Sequence, residues 1–114
     1  MKYHIDILEG ENWTEITLTI DGKNYYGFTR CLPEDNYSKI RGGRIAEYKA
    51  WRSYYQAKLT EYKQKMRYFE EFAHDTYVAD EHSIQRVAGK RKEIQYHIDL
   101  YESRIKALTR WITI

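Results

Sequence analysis

The chain has one cysteine, one proline and little excess of charge of either sign. Cys31 has no partner within the chain, so no internal disulfide holds the fold, and a lone thiol fits a reducing cytoplasm. No apolar run approaches the ~18 residues of a membrane helix, and the charged start Met1-Lys2-Tyr3-His4 lacks a signal-peptide core. A formal net charge of +2 excludes an acidic DNA mimic and a protein that coats nucleic acid by charge alone. We therefore expect no membrane and no direct DNA binding. Metal-ligand spacing is missing too. His4, His74, His82 and His97 stand apart; His74 and His82 could meet across a helix turn, but two ligands do not make a zinc site. No nucleophile has a base beside it. Glu34-Asp35, Glu70-Glu71 and Asp80-Glu81 read as helix-end charges and solvated faces. The expectation is a protein without metal or cofactor that is not an enzyme.

What is present is a single domain, 1–114, with 42% apolar and 32% charged residues, enough to fold. Residues 2 to 9 alternate, with Tyr3, Ile5 and Ile7 on one side. Residues 13 to 20 alternate again, with Thr14, Ile16, Leu18 and Ile20 on one face. Asp21-Gly22 is a two-residue hairpin signal. Lys23 to Cys31 makes a third strand, and Pro33 closes it. The sheet spans 1–31 and a connecting loop 32–43.

Residues 44–114 form the larger part. Ile45, Tyr48, Arg52, Tyr55, Leu59, Tyr62, Met66, Phe69 and Ala73 follow one another at steps of three and four. Ile84, Val87, Arg91, Ile94, Ile98, Tyr101, Ile105, Leu108 and Ile112 do the same. That rhythm marks two long helices packed along a narrow seam. The fold class is α+β: an N-terminal three-stranded antiparallel meander packed against a long antiparallel two-helix hairpin. The first helix is firm from Arg44 to Ala73, and Gly42-Gly43 weaken its start. Asn36 or Ser38 suits its cap, and Asp80 or Ser83 that of the second helix.

A hairpin mirrored about residue 77 puts Tyr62 near Arg91, and Arg52 near Tyr101 and Ile105. Each seam arginine then either pairs with a neighbouring glutamate (Glu61, Glu93 or Glu102) and snorkels to solvent, or lines an anion pocket with a tyrosine. Lys39-Ile40-Arg41-Gly42-Gly43-Arg44 reads either as a phosphate site at a helix N-terminus or as a flexible basic turn. Tyr25, Tyr26 and Phe28 are assigned to sheet–helix packing rather than to base stacking. Trp51, Tyr54 and Tyr68 form a second aromatic stripe. Twelve tyrosines and three tryptophans suggest wide contact surfaces, between subunits or against a ligand with flat rings. A homo-oligomer is expected, a dimer at the least.

The strand meander, Cys31-Leu32-Pro33-Glu34-Asp35, and then Gly43-Arg44-Ile45-Ala46-Glu47-Tyr48-Lys49-Ala50 opening a helical hairpin resemble the small phage proteins of the Thoeris anti-defence 1 family over nearly the full length. The resemblance implies a sponge that oligomerises through its helices, up to a hexamer. It implies binding of a cyclic ADP-ribose isomer without cleavage, and in some relatives of cyclic oligonucleotides of CBASS immunity at a separate site. The location it implies is the cytoplasm of an infected bacterium. With such a ligand, Arg52 and Arg104 are the expected phosphate contacts, Arg110 is the reserve, Tyr101 lies beside them and Tyr77 is a stacking lid in the turn. Arg41, Gly42, Gly43 and Arg44 are the candidate second phosphate site. The alternative is a protein–protein inhibitor or adaptor of the anti-CRISPR kind, docking a host protein through Trp51, Tyr54 and Trp111.

Overall fold

The computed structural model describes residues 1–30, 39–75 and 81–113. The element order is β1 (Tyr3–Glu9), β2 (Trp13–Ile20), β3 (Lys23–Arg30), α1 (Lys39–Asp75) and α2 (Glu81–Thr113). This is the α+β meander-and-hairpin expected. The strands form one antiparallel sheet in the order β1-β2-β3. Asp21 and Gly22 take φ of 52° and 77°, the left-handed pair that a type I′ turn needs. That turn places Ile20 opposite Lys23, and Trp13 opposite Arg30. On the other side Tyr3 meets Ile20 and Glu9 meets Thr14. The alternation in β2 then buries Thr14, Ile16, Leu18 and Ile20.

α1 covers this buried face over β2 and β3, while α2 packs on α1 and touches no strand. The first helix is therefore a middle layer. Toward the sheet it presents Ala46, Ala50 and Tyr54, all buried. Their spacing of four keeps them on one stripe. Lys49 adds a polar tie, its Nζ donating to the Phe28 carbonyl at 2.9 Å. Toward α2 lie Tyr48, Tyr55 and Tyr62, whose rings meet Trp111, Tyr101 and His97, and α2 buries Ile94, Ile98 and Leu108. The molecule measures 67 × 28 × 20 Å with a radius of gyration of 19.6 Å, against about 13 Å for a compact chain of this size. Among the described residues no helix backbone comes close to β1; its Tyr3 ring reaches Trp51 of α1, and Tyr3 and Ile7 stay largely exposed on the inner side.

Three details differ from the sequence expectations. Helix α1 begins at Lys39, so Arg41-Gly42-Gly43-Arg44 lies within its first turns and not in a connecting loop. Two glycines cost about 1 kcal/mol each in a helix, but here Gly42 is buried and Ala46 and Ala50 dock on the sheet one and two turns later. Tertiary packing outweighs local propensity. The hairpin register also differs. Arg52 reaches Thr109, Arg91 reaches Glu70, and Tyr62 meets His97 and Tyr101, a mirror line near residue 80. Part of the shift is the turn itself, since α1 ends at Asp75 and α2 begins at Glu81, a midpoint of 78. Helical side chains also lean toward their own N-terminus, which moves each touching residue of an antiparallel pair about one position later. Third, only Tyr25 of the β3 aromatics packs on α1, edge-on to Tyr54 at 5.3 Å. Tyr26 and Phe28 are exposed on the opposite sheet face, Phe28 stacking on Trp13.

Candidate functional site

An aromatic chain runs through the molecule from β1 to the middle of α2. Tyr3 meets Trp51 edge-on at 5.1 Å. Trp51 stacks on Tyr55 at 6.1 Å, and Tyr55 meets Tyr101 at 5.9 Å. Tyr101 meets Tyr62 at 5.5 Å, and Tyr62 meets His97 at 4.6 Å. The heptad spacing of Tyr48, Tyr55 and Tyr62 produces this, because seven residues are close to two helical turns. Ring stacking supplies rigid surface at little entropic cost. Burial raises the Tyr101 hydroxyl above its ordinary pKa, Tyr62 adding to this and Lys58 opposing it. Burial likewise raises Tyr54, against Lys58.

Near the open end of the hairpin the chain of rings borders a groove of about 240 Å³, walled by Tyr48, Trp51, Tyr55 and Trp111, with Glu47 and Arg104 at its margin. Tyr48 and Trp111 close one side, 5.5 Å apart. Arg104 has no hydrogen-bond or ion-pair partner among the described residues. An unengaged guanidinium beside aromatic faces suits a ligand with a flat ring and an anionic group. Glu47 adds an acceptor for an amino or hydroxyl group. A second groove of about 400 Å³ lies toward the other end, lined by Tyr62, Lys65, Tyr68, Phe69, Lys90 and Glu93. There the cations are engaged: Lys65 lies over the Tyr62 ring at 4.4 Å and 3.4 Å from Glu61, and Lys90 is 3.8 Å from Glu93.

The sequence-selected residues divide as follows. Arg104 lines the first groove. Arg52 does not; it donates to Thr109 Oγ1 at 3.4 Å. Thr109 is five positions from Arg104, about 140° around α2, so the two arginines serve opposite flanks of the seam. Arg110 is exposed and lies outside the groove. Tyr101 is half-buried with its faces taken by other rings, and Tyr77 falls outside the described residues, as do the expected caps Asn36, Ser38 and Asp80; Ser83 is not a cap, because α2 already begins at Glu81. Arg91 pairs with Glu70 at 3.3 Å, the glutamate-paired alternative with a different glutamate. The cation–π contacts are made by Lys58 and Lys65 rather than by the seam arginines. Tyr54 is buried under the sheet, which removes it from any docking face.

Trp51, Tyr48 and Trp111 were not selected as groove walls from the sequence. The signal was present: Trp51 lies three residues after Tyr48 and four before Tyr55, on one helical face. Among the described residues no three His, Cys, Asp or Glu cluster as metal ligands would, and no helix is long and apolar enough to cross a membrane. Comparisons of the chain with protein-family models, with curated proteins and with solved structures find no match.

Proposed function

We propose that this protein is a phage anti-defence sponge that binds a cyclic nucleotide immune signal, a cyclic ADP-ribose isomer and also cyclic oligonucleotides, and holds it without cleaving it. The observation that carries the reading is Arg104, unpartnered among the described residues, beside Trp51, Tyr48, Tyr55 and Trp111. Adenine stacks on the aromatic walls, a phosphate meets Arg104, and Glu47 accepts from a ribose hydroxyl or the adenine amine. At about 240 Å³ the groove is smaller than the ~300–1,000 Å³ of ordinary ligand pockets. A second protomer completes it, so the binding unit is a homo-oligomer in the bacterial cytoplasm. Arg52 and Arg110 then serve the ligand only from a neighbouring protomer. Arg41 and Arg44, on the first turns of α1, remain the second phosphate site in this reading. The resemblance to the Thoeris anti-defence 1 family supports the ligand class.

The test is capture. Purified protein is mixed with cyclic ADP-ribose isomers and cyclic di- and trinucleotides, separated, and denatured by heat. Intact ligand released only on denaturation is the expected result. Converted ligand means an enzyme, and no ligand retained from any class moves the reading to a protein–protein inhibitor.

A further inference from the structure

The open side of the sheet has a use of its own. Among the described residues β1 is an edge strand, hydrogen-bonded to β2 alone, and an edge presents a row of backbone groups that can pair with another chain. Its inner face carries Tyr3, Ile5 and Ile7; Tyr3 reaches Trp51 of α1 edge-on and Ile5 packs partly against the core, yet Tyr3 is 54% and Ile7 60% exposed. The opposite edge, β3, differs: its Phe28 carbonyl accepts from Lys49.

We propose that β1 is a self-pairing edge. Two copies join antiparallel about a two-fold axis through Ile5, making one six-stranded sheet. A two-fold axis perpendicular to the sheet keeps each residue on its own face, so only registers centred on a residue are allowed. Centred on Ile5, Tyr3 faces Ile7 of the second copy, Ile5 faces Ile5, and Ile7 faces Tyr3. That is an unbroken apolar row on the inner face. On the outer face His4 stands opposite Asp6, twice by symmetry. Within one chain His4 Nε2 already lies 3.0 Å from Asp6 Oδ1, so pairing builds a four-membered ring of alternating partners. The competing register, centred on Asp6, uses the whole strand but sets Asp6 against Asp6, and like charges directly opposite destabilise a ladder. A register centred on His4 leaves a shorter ladder with His4 against His4. Charge complementarity and the partly exposed apolar row select the Ile5 register. This pairing is independent of the ligand proposed above.

Engineered cysteines in a Cys31→Ser background test the register. Opposed Cα atoms in an antiparallel pair are about 5 Å apart, within disulfide reach. Ile5→Cys therefore oxidises to a covalent dimer. Ile7→Cys does not, since its two copies lie about 14 Å apart along the strands. Sedimentation of charge variants is the second arm. His4→Asp sets Asp against Asp and weakens self-association at least about tenfold, while the swap His4→Asp with Asp6→His restores it. Equal crosslinking at Ile5 and Ile7, no crosslinking at Ile5, or a swap no better than His4→Asp overturns the proposal.

Discussion

Gly27 rests directly against the backbone of Ala46. A Cβ on Gly27 would overlap the Ala46 carbonyl oxygen and come within 2.7 Å of the Ala50 amide nitrogen. These are main-chain atoms of a helix, which cannot swing aside as a side chain would. The close approach of α1 to the sheet depends on this glycine and on the two buried alanines. Gly27→Ala is expected to cost about 3 kcal/mol or more, the upper range of overpacking, read as a lowered urea midpoint.

The same substitution has the opposite sign elsewhere. A Cβ at Gly43 or Gly89 meets nothing within 4 Å, and both lie inside helices. Gly43→Ala and Gly89→Ala should each stabilise the protein by about 0.5–1 kcal/mol. Thermal melts of the single and double variants check this, with the two gains additive because the sites are distant in the hairpin.

Glu61 lies between Lys58 at 3.3 Å and Lys65 at 3.4 Å. Burial alone would raise its carboxyl, but the hydrogen bond and charge of Lys58, joined by those of Lys65, hold it below the ordinary value. A depressed carboxylate contributes stability above its unfolded pKa, and that stability is lost as pH falls through the folded one. Glu61→Gln should therefore destabilise at pH 7, and its difference from the parent should shrink when the pH is lowered to about 3. The side chain is 44% exposed, so solvent screening limits the difference at pH 7 to under about 1 kcal/mol. Urea titrations at the two pH values measure it.

How far the sequence reveals this protein depends on what kind of information each feature needs. The strands and the helical seam are legible because burial repeats at a fixed period: Ile16, Leu18 and Ile20 at two, Ile94, Ile98 and Leu108 at helical spacing. The turn at Asp21-Gly22 is legible because few residues accept positive φ. The pairing of Arg52 with Thr109 is not, because it depends on where the turn is centred and on side-chain tilt, neither of which the apolar period reports. The start of α1 at Lys39 was hidden by Gly42-Gly43, whose local cost is overridden by docking on the sheet. The role of Gly27 was hidden as well, since a strand glycine does not name the helix that approaches it. In the groove, Arg104 was legible as a charge on a helix, but its aromatic walls depend on which faces of α1 the sheet and α2 leave open.

Arg104 and its aromatic neighbours carry the proposed ligand site. The measurement that tests it most directly is ligand capture by the parent protein and by Arg104→Ala, Trp51→Ala and Arg67→Ala, with circular dichroism confirming that each is folded. Arg67 is exposed and outside both grooves. The parent and Arg67→Ala should retain intact cyclic nucleotide until heated. Arg104→Ala and Trp51→Ala should lose affinity by at least about tenfold, consistent with a charge-assisted contact worth ~1.5–3 kcal/mol. If folded Arg104→Ala and Trp51→Ala hold the ligand as tightly as the parent, the groove is not the site.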